Sequence, residues 1–303
     1  MSRPVIVGLD GSPSSLAAAE WAACEAHLRR LPLKLLHALE DWTPSYGHAT
    51  SVGATPSPQY WGERIPREVS QRLAERHPGL AITTEQVDGR PLPVLDAAAQ
   101  EAEVLVLGSR GLGAVTGFLV GSVSQAVLAH AERPVVIVRP GTSQDSNDVS
   151  APNGSQPPAG TYRPVVLGLD LSRPCDELLE YAFDAAAARR APLRVVHGWN
   201  MPPAFTFDPA LIAPEVRDGL AAGTATALGD ALRPWRGKYP AVHVEEECSV
   251  GHAADHLVEA SADASLMVVG RRIRRSAIGT HLGPVAHAVL HHSAAPVAVV
   301  PHP

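Results

Sequence analysis

Aromatic side chains are scarce in this chain, at 5% of its residues, so any core must be built from aliphatic groups. Cysteine is nearly missing. Cys24, Cys175 and Cys248 are odd in number and far apart, which excludes a disulfide framework or a Cys-x-x-Cys zinc site and suits a reducing compartment. No apolar run approaches the length of a membrane span. The first residues lead straight into Pro4-Val5-Ile6-Val7 without the pattern of a secretory signal, so the expected location is cytoplasmic. A surplus of positive charge is also missing. The formal net charge is -6, which argues against general nucleic-acid binding. The Gly-Lys-Ser/Thr of a Walker A loop occurs nowhere, and no Gly-x-Gly-x-x-Gly follows the first strand.

What is present is a duplication. A length of 303 residues with 45% hydrophobic content suits two globular domains. Pro4-Val5-Ile6-Val7-Gly8-Leu9-Asp10-Gly11-Ser12 returns as Pro164-Val165-Val166-Leu167-Gly168-Leu169-Asp170-Leu171-Ser172, and Leu35-Leu36-His37 as Val195-Val196-His197, each 160 residues on. Val106-Leu107-Gly108 returns as Val268-Val269-Gly270, and Pro134-Val135-Val136 as Pro296-Val297-Ala298, each 162 on. A period this long marks a duplicated domain rather than a solenoid. The stretch between is rich in Ser, Asn, Gly and Pro and cannot build a core. The expected organisation is a domain over 1–140, a flexible linker over 141–161 and a second domain over 162–303.

Each half alternates strands and helices. In the first, strands are expected at Val5–Leu9, Leu33–Ala38, Ala81–Val87, Val104–Leu107 and Val135–Val138. Ser12 should cap a helix that opens with Pro13. Thr43–Pro58 reads as a loop, and the alternating third strand as a sheet edge. Such a pattern implies a parallel sheet with right-handed crossovers. Ligands of such sheets sit beyond the carboxyl ends of the strands, where the strand order reverses. Strand one ends there at Asp10 and strand four at Gly108.

The fourth strand empties into Gly108-Ser109-Arg110-Gly111, and Gly121-Ser122 then opens a helix. Glycines allow close backbone approach, successive N–H groups form an anion nest, and the helix start adds partial positive charge. The loop reads as a nucleotide phosphate site; the competing reading is that its glycines only make turns. A carboxylate would repel phosphate, so Asp10 suits a ribose hydroxyl or a base amine, or else it caps its own turn.

Together these residues resemble the universal stress protein family in its tandem form. The spacing Gly-x2-Gly-x9-Gly-Ser/Thr is met by Gly108, Gly111, Gly121 and Ser122. Val7–Ser12 and Arg133–Val138 also resemble family segments. The resemblance covers nearly the whole chain outside the linker. It implies two tandem Rossmann-like (doubly wound) α/β domains, each a five-stranded parallel sheet of order 3-2-1-4-5 flanked by helices. It also implies ATP as ligand, with Mg²⁺ as a possible companion, and a homodimer. By position, Gly8 and Asp10 would lie near ribose and adenine, and Ala38 would border the adenine. Gly108, Ser109, Arg110, Gly111, Leu112 and Gly113 would wrap the phosphates, held at the helix start by Gly121, Ser122, Val123 and Ser124. Arg110 either supplies a charge or is a solvated loop residue.

The second half departs from the pattern. Gly168 and Asp170 keep their places, but the loop expected at Gly270-Arg271-Arg272 continues with Ile273 where glycine belongs. Gly283 is followed by Pro284, which has neither N–H nor hydroxyl. Arg271, Arg272, Arg274 and Arg275 either replace the lost donors, bind another anion, or form a solvated basic loop.

No catalytic residue is assigned. The glycine loop lacks a Walker lysine and paired carboxylates, which leaves at most slow ATP hydrolysis. A Ser-Gly-Gly-x-Asp-Ser pyrophosphatase loop does not match Gly8–Ser12. His287 and His291 share a helix face, but no third ligand lies nearby, so no metal site is assigned. The expected role is that of a stress-response sensor or regulator. The alternative is a nucleotide-independent adaptor working through protein contacts. The apolar fifth strands, Val135–Val138 and Val297–Val300, would be sheet edges that pair between the halves or between chains.

Overall fold

The computed structural model describes residues 2–40, 58–110, 120–141, 162–201, 214–273 and 282–303. The chain divides into two compact units, Met1–Ser143 and Gln144–Pro303. Nearly all of the expected linker, nearly all of the Thr43–Pro58 loop, and Gly111, Leu112, Gly113, Arg274 and Arg275 lie outside the described residues.

In unit one the order is β1 (Val5–Leu9), α1 (Pro13–Arg29), β2 (Leu33–Leu39), α2 (Pro58–Arg76), β3 (Ile82–Asp88), α3 (Pro91–Glu101), β4 (Val104–Gly108), α4 (Ser122–His130) and β5 (Val135–Val138). The strands run parallel in the order β3-β2-β1-β4-β5. Helices α1 and α2 lie on one face, α3 and α4 on the other. Burial on both faces explains why β1 and β4 read as unbroken aliphatic runs. β3 is exposed along most of its length and sits at the edge, where Glu85 pairs with Lys34 at 2.8 Å; charge on an edge discourages pairing with a stray strand.

The scarcity of aromatics is met by small residues that let helix and sheet approach closely. Helix α1 turns Ala18, Ala19, Ala22, Ala23 and Ala26 inward around a single buried indole, Trp21. It starts at the Ser12 cap, whose hydroxyl accepts the Ser15 N–H, and stops at Arg30, where φ is 55° and the cap N–H reaches the Ala26 and His27 carbonyls.

Unit two repeats the plan with β6 (Val165–Gly168), α5 (Asp176–Arg189), β7 (Leu193–Trp199), α6 (Pro214–Lys238), β8 (Val244–Val250), α7 (Ala253–Ala260), β9 (Leu266–Arg272), α8 (Pro284–His292) and β10 (Val297–His302). Its strands are parallel, in the order β8-β7-β6-β9-β10. Leu33 corresponds to Leu193, 160 residues on, and Ile82 to Val244, 162 on, so the extra residues entered between β7 and β8.

Two departures matter. The counterpart of Pro13 is Arg173, yet α5 begins only at Asp176, with Cys175 at the cap and no side-chain cap bond. The expected loop at Gly270-Arg271-Arg272 is instead strand. β9 continues through Arg272 beside a lengthened β10, pairing Gly270 with Val300, Arg271 with Pro301 and Arg272 with His302, and Ile273 N–H closes the ladder on the His302 carbonyl at 2.7 Å. The charged residues suggested a loop, but Arg271 is buried, and the ladder satisfies a backbone that would otherwise need solvent.

Candidate functional site

Strand order reverses between β1 and β4, which pair with Val7 opposite Val106. Gly8 and Asp10 therefore emerge beside Gly108 and Ser109 at one end of the sheet, as a ligand crevice of this fold requires. Ala38 lies at the same end of β2, paired with Val87.

Gly8 and Gly108 have packing reasons to be glycine. A Cβ at Gly8 would meet Leu107 Cδ2 at 2.8 Å and Leu95 Cδ2 at 3.0 Å. At Gly108 it would strike the backbone of α1, at 2.7 Å from the Ser14 carbonyl carbon and 2.8 Å from Ser15 N. The first turn of α1 thus rests directly on the end of β4.

The loop beyond β4 is tied at its base. Ser109 N–H donates to the Val138 carbonyl and Gly121 N–H to the Ser109 carbonyl, both at 2.7 Å. Ser124 Oγ donates to the Gly108 carbonyl at 3.0 Å. Ser109 and Ser124 are buried, so their polar groups brace the crevice and their side chains do not line its mouth. The helix cap falls to Gly121 and not to Ser122; Gly121 has φ -70° and ψ 156°, a conformation open to any residue. Gln125 is the first residue whose N–H reaches back into α4, to the Gly121 carbonyl. The N–H groups of Ser122, Val123 and Ser124 belong to the open first turn, and the side chains of Ser122 and Val123 are exposed.

Asp10 closes its own turn: Oδ1 accepts the Ser12 N–H at 2.9 Å, an Asx turn that uses Gly11 at φ +79°. His37, which strand reading left without a role, is buried with Nδ1 2.7 Å from the Leu9 carbonyl and so fixes the end of β1. His197 does the same to Leu169 at 2.8 Å. The recurrence of His37 as His197 in the repeat was the available signal. Positive charge gathers where the loop departs: burial, and after it the charge of Arg110, push the Arg139 guanidinium below its ordinary range. Sequence reading had not singled out Arg139, because it lies past β5 and nearly thirty residues from Arg110.

In unit two the corresponding place is built differently. Asp170 Oδ1 accepts the Ser172 N–H at 2.9 Å and the Ser172 hydroxyl at 2.7 Å, so the aspartate again accepts the N–H two residues on, here without the positive φ of Gly11. Gly168 is likewise tight, with Leu257 Cδ1 at 2.7 Å from a would-be Cβ. But Gly270 lies under the His302 ring, whose Nε2 would be 2.9 Å from an added Cβ. Arg271 points into protein, Arg272 is exposed at the strand end, and Gly283 caps α8 with Pro284 as its first residue. Among the described residues no group of three or more His, Cys, Asp or Glu side chains could hold a metal ion. No described helix is long and apolar enough to cross a membrane.

These features define a class: tandem doubly wound α/β units, the first with a glycine-rich sequence at its switch point. The chain belongs to the universal stress protein family, whose model matches residues 1–139 and 161–301. It is 32% identical over 318 residues to a universal stress protein of Mycobacterium tuberculosis, covering 99% of both chains. The crystal structure of a universal stress protein from Archaeoglobus fulgidus matches with a TM-score of 0.65 at 18% identity, over 98% of each chain. A universal stress protein crystallised in complex with cAMP matches 45% of this chain and 95% of its own, at 32% identity and a TM-score of 0.33.

Proposed function

We propose that unit one binds ATP in the crevice between β1 and β4, and that the chain acts as a nucleotide-responsive stress sensor or regulator in the cytoplasm. The observation that carries the reading is the complete Gly108, Gly111, Gly121, Ser122 spacing set on an α4 whose first three N–H groups are open. Arg110 and Arg139 add positive charge where phosphates would sit. Gly8, Asp10 and Ala38 are offered to the nucleoside, and Gly111, Leu112 and Gly113 to the phosphates, with Mg²⁺ as a companion of the triphosphate. Unit two does not take ATP in this manner, because β9 and β10 run on as a ladder where the first unit opens its loop. The apolar β5 and β10, each at the edge of its own unit's sheet, are the surfaces offered for pairing between halves or in a homodimer.

Calorimetric titration of the full chain with ATP tests this, alongside a Gly121→Glu variant. The φ of -70° at Gly121 admits glutamate without backbone strain, and its side chain would stand at the helix start. One saturable site per chain, abolished by Gly121→Glu, is the expected result. Two sites would overturn the reading of unit two. No binding would leave the adaptor role through protein contacts.

A further inference from the structure

We propose that Ser12 is a positioning residue for the phosphate end of the unit-one site, an inference that rests on the ATP reading above. Ser12 is 3% exposed and stands between the two ends of the crevice. On the nucleoside side its N–H donates to Asp10 Oδ1 at 2.9 Å. Its hydroxyl accepts the Ser15 N–H at 3.2 Å and donates to the Arg110 carbonyl at 3.1 Å. Ser15 Oγ in turn donates to the Ser12 carbonyl at 3.0 Å. A helix cap uses only the acceptor side of a serine hydroxyl; the remaining proton is spent on the carbonyl of Arg110, two residues past the end of β4.

The second unit supplies the comparison. Ser172 likewise donates its N–H to the aspartate two residues back, but its hydroxyl turns back on Asp170 Oδ1, and α5 is capped three residues later by Cys175. Among the described residues the Ser172 hydroxyl therefore makes no bond to β9. The Ser12–Arg110 bond is made where a loop departs and is missing where β9 runs on as strand. Its effect is to hold the Arg110 carbonyl against the start of α1, so that Arg110 is fixed in place before a ligand arrives. Removing it should loosen the grip on phosphates and leave the nucleoside contacts intact.

The experiment compares affinities for ATP and for adenosine, by calorimetry on the full-length chain. The variants are Ser12→Ala, Ser12→Gly, Ser12→Thr and Ser172→Gly. Ser12→Gly is the informative one, because glycine serves as a helix cap almost as well as serine. If Ser12→Ala fails to fold, Ser12→Gly still carries the test, with a thermal melt confirming its fold. The ATP Kd should rise about five- to tenfold in Ser12→Ala and Ser12→Gly, the loss of one hydrogen bond, while the adenosine Kd changes less than about twofold. Ser12→Thr, which keeps the hydroxyl, should restore ATP affinity, and Ser172→Gly should alter neither. Equal weakening of ATP and adenosine would make Ser12 a merely structural cap and overturn the proposal, as would unchanged ATP affinity. A wild-type chain that binds no ATP would instead overturn the underlying reading, and this proposal with it.

Discussion

Single residues here serve two masters. Gly108 fits the glycine spacing of a phosphate loop, yet its lack of a side chain is already required by the α1 backbone, 2.7 Å from a would-be Cβ. Gly108→Ala should cost about 1–3 kcal/mol of stability, the usual range for overpacking, measured by urea denaturation, and it should do so without any nucleotide present. Cys175 offers a second prediction. Burial, followed by its hydrogen bond to Glu177, pushes the thiol up to about 11 from an ordinary 9.0. Below pH 9 the thiol is neutral whether the chain is folded or not. Between pH 9 and 11 only the unfolded chain ionises, so stability falls by up to about 1.4 kcal/mol per pH unit and levels off above. The difference between wild-type and Cys175→Ser unfolding curves should show a slope confined to that window; a flat difference would refute it. Ser12 shows where residue-by-residue reading stops. Its cap on Ser15 is three residues away and follows from a local rule, but its bond to Arg110 spans 98 residues and exists only once β1 and β4 are neighbours.

At the scale of elements the sequence was legible wherever burial is two-sided. The aliphatic runs of β1, β4 and β5 and the Ser12-Pro13 start of α1 lie where pattern places them. The third strand's alternation marked it as an edge, and it is one. The strand ends in unit two were not legible, because two arginines after a glycine resemble solvated loop, and only pairing with Pro301 and His302 makes them strand. The late start of α5 was equally hidden, since Ser172 repeats the capping residue of α1 without capping. From this difference follows a prediction about Pro284. Pro284→Ser restores an N–H and a hydroxyl to the first position of α8, completing that part of the motif. It should nevertheless fail to create a second ATP site, because the β9–β10 ladder remains. Titration should still give one site per chain; a gain to two would mean that the proline alone had silenced unit two.

On the scale of the molecule, duplication has kept one architecture and let its two copies diverge at the same sheet end. A ligand that binds only the native form of unit one stabilises it by about 2.7 kcal/mol at a hundred times its Kd. For a unit of this size that amounts to a rise of several degrees in melting temperature. Differential scanning calorimetry with saturating ATP should move the part of the transition that belongs to unit one, and Gly121→Glu should remove the shift.

The run of β9 and β10 past Gly270 carries a further consequence for signalling. A tandem chain with two working crevices could switch sharply, each occupied site favouring the other. If unit one alone takes ATP, as proposed, a lone chain has one occupancy variable, and its dose–response curve should be a hyperbola with a Hill coefficient of about one. Steeper behaviour would have to be borrowed from a second chain, so the shape of the titration curve reports on assembly as well as on affinity.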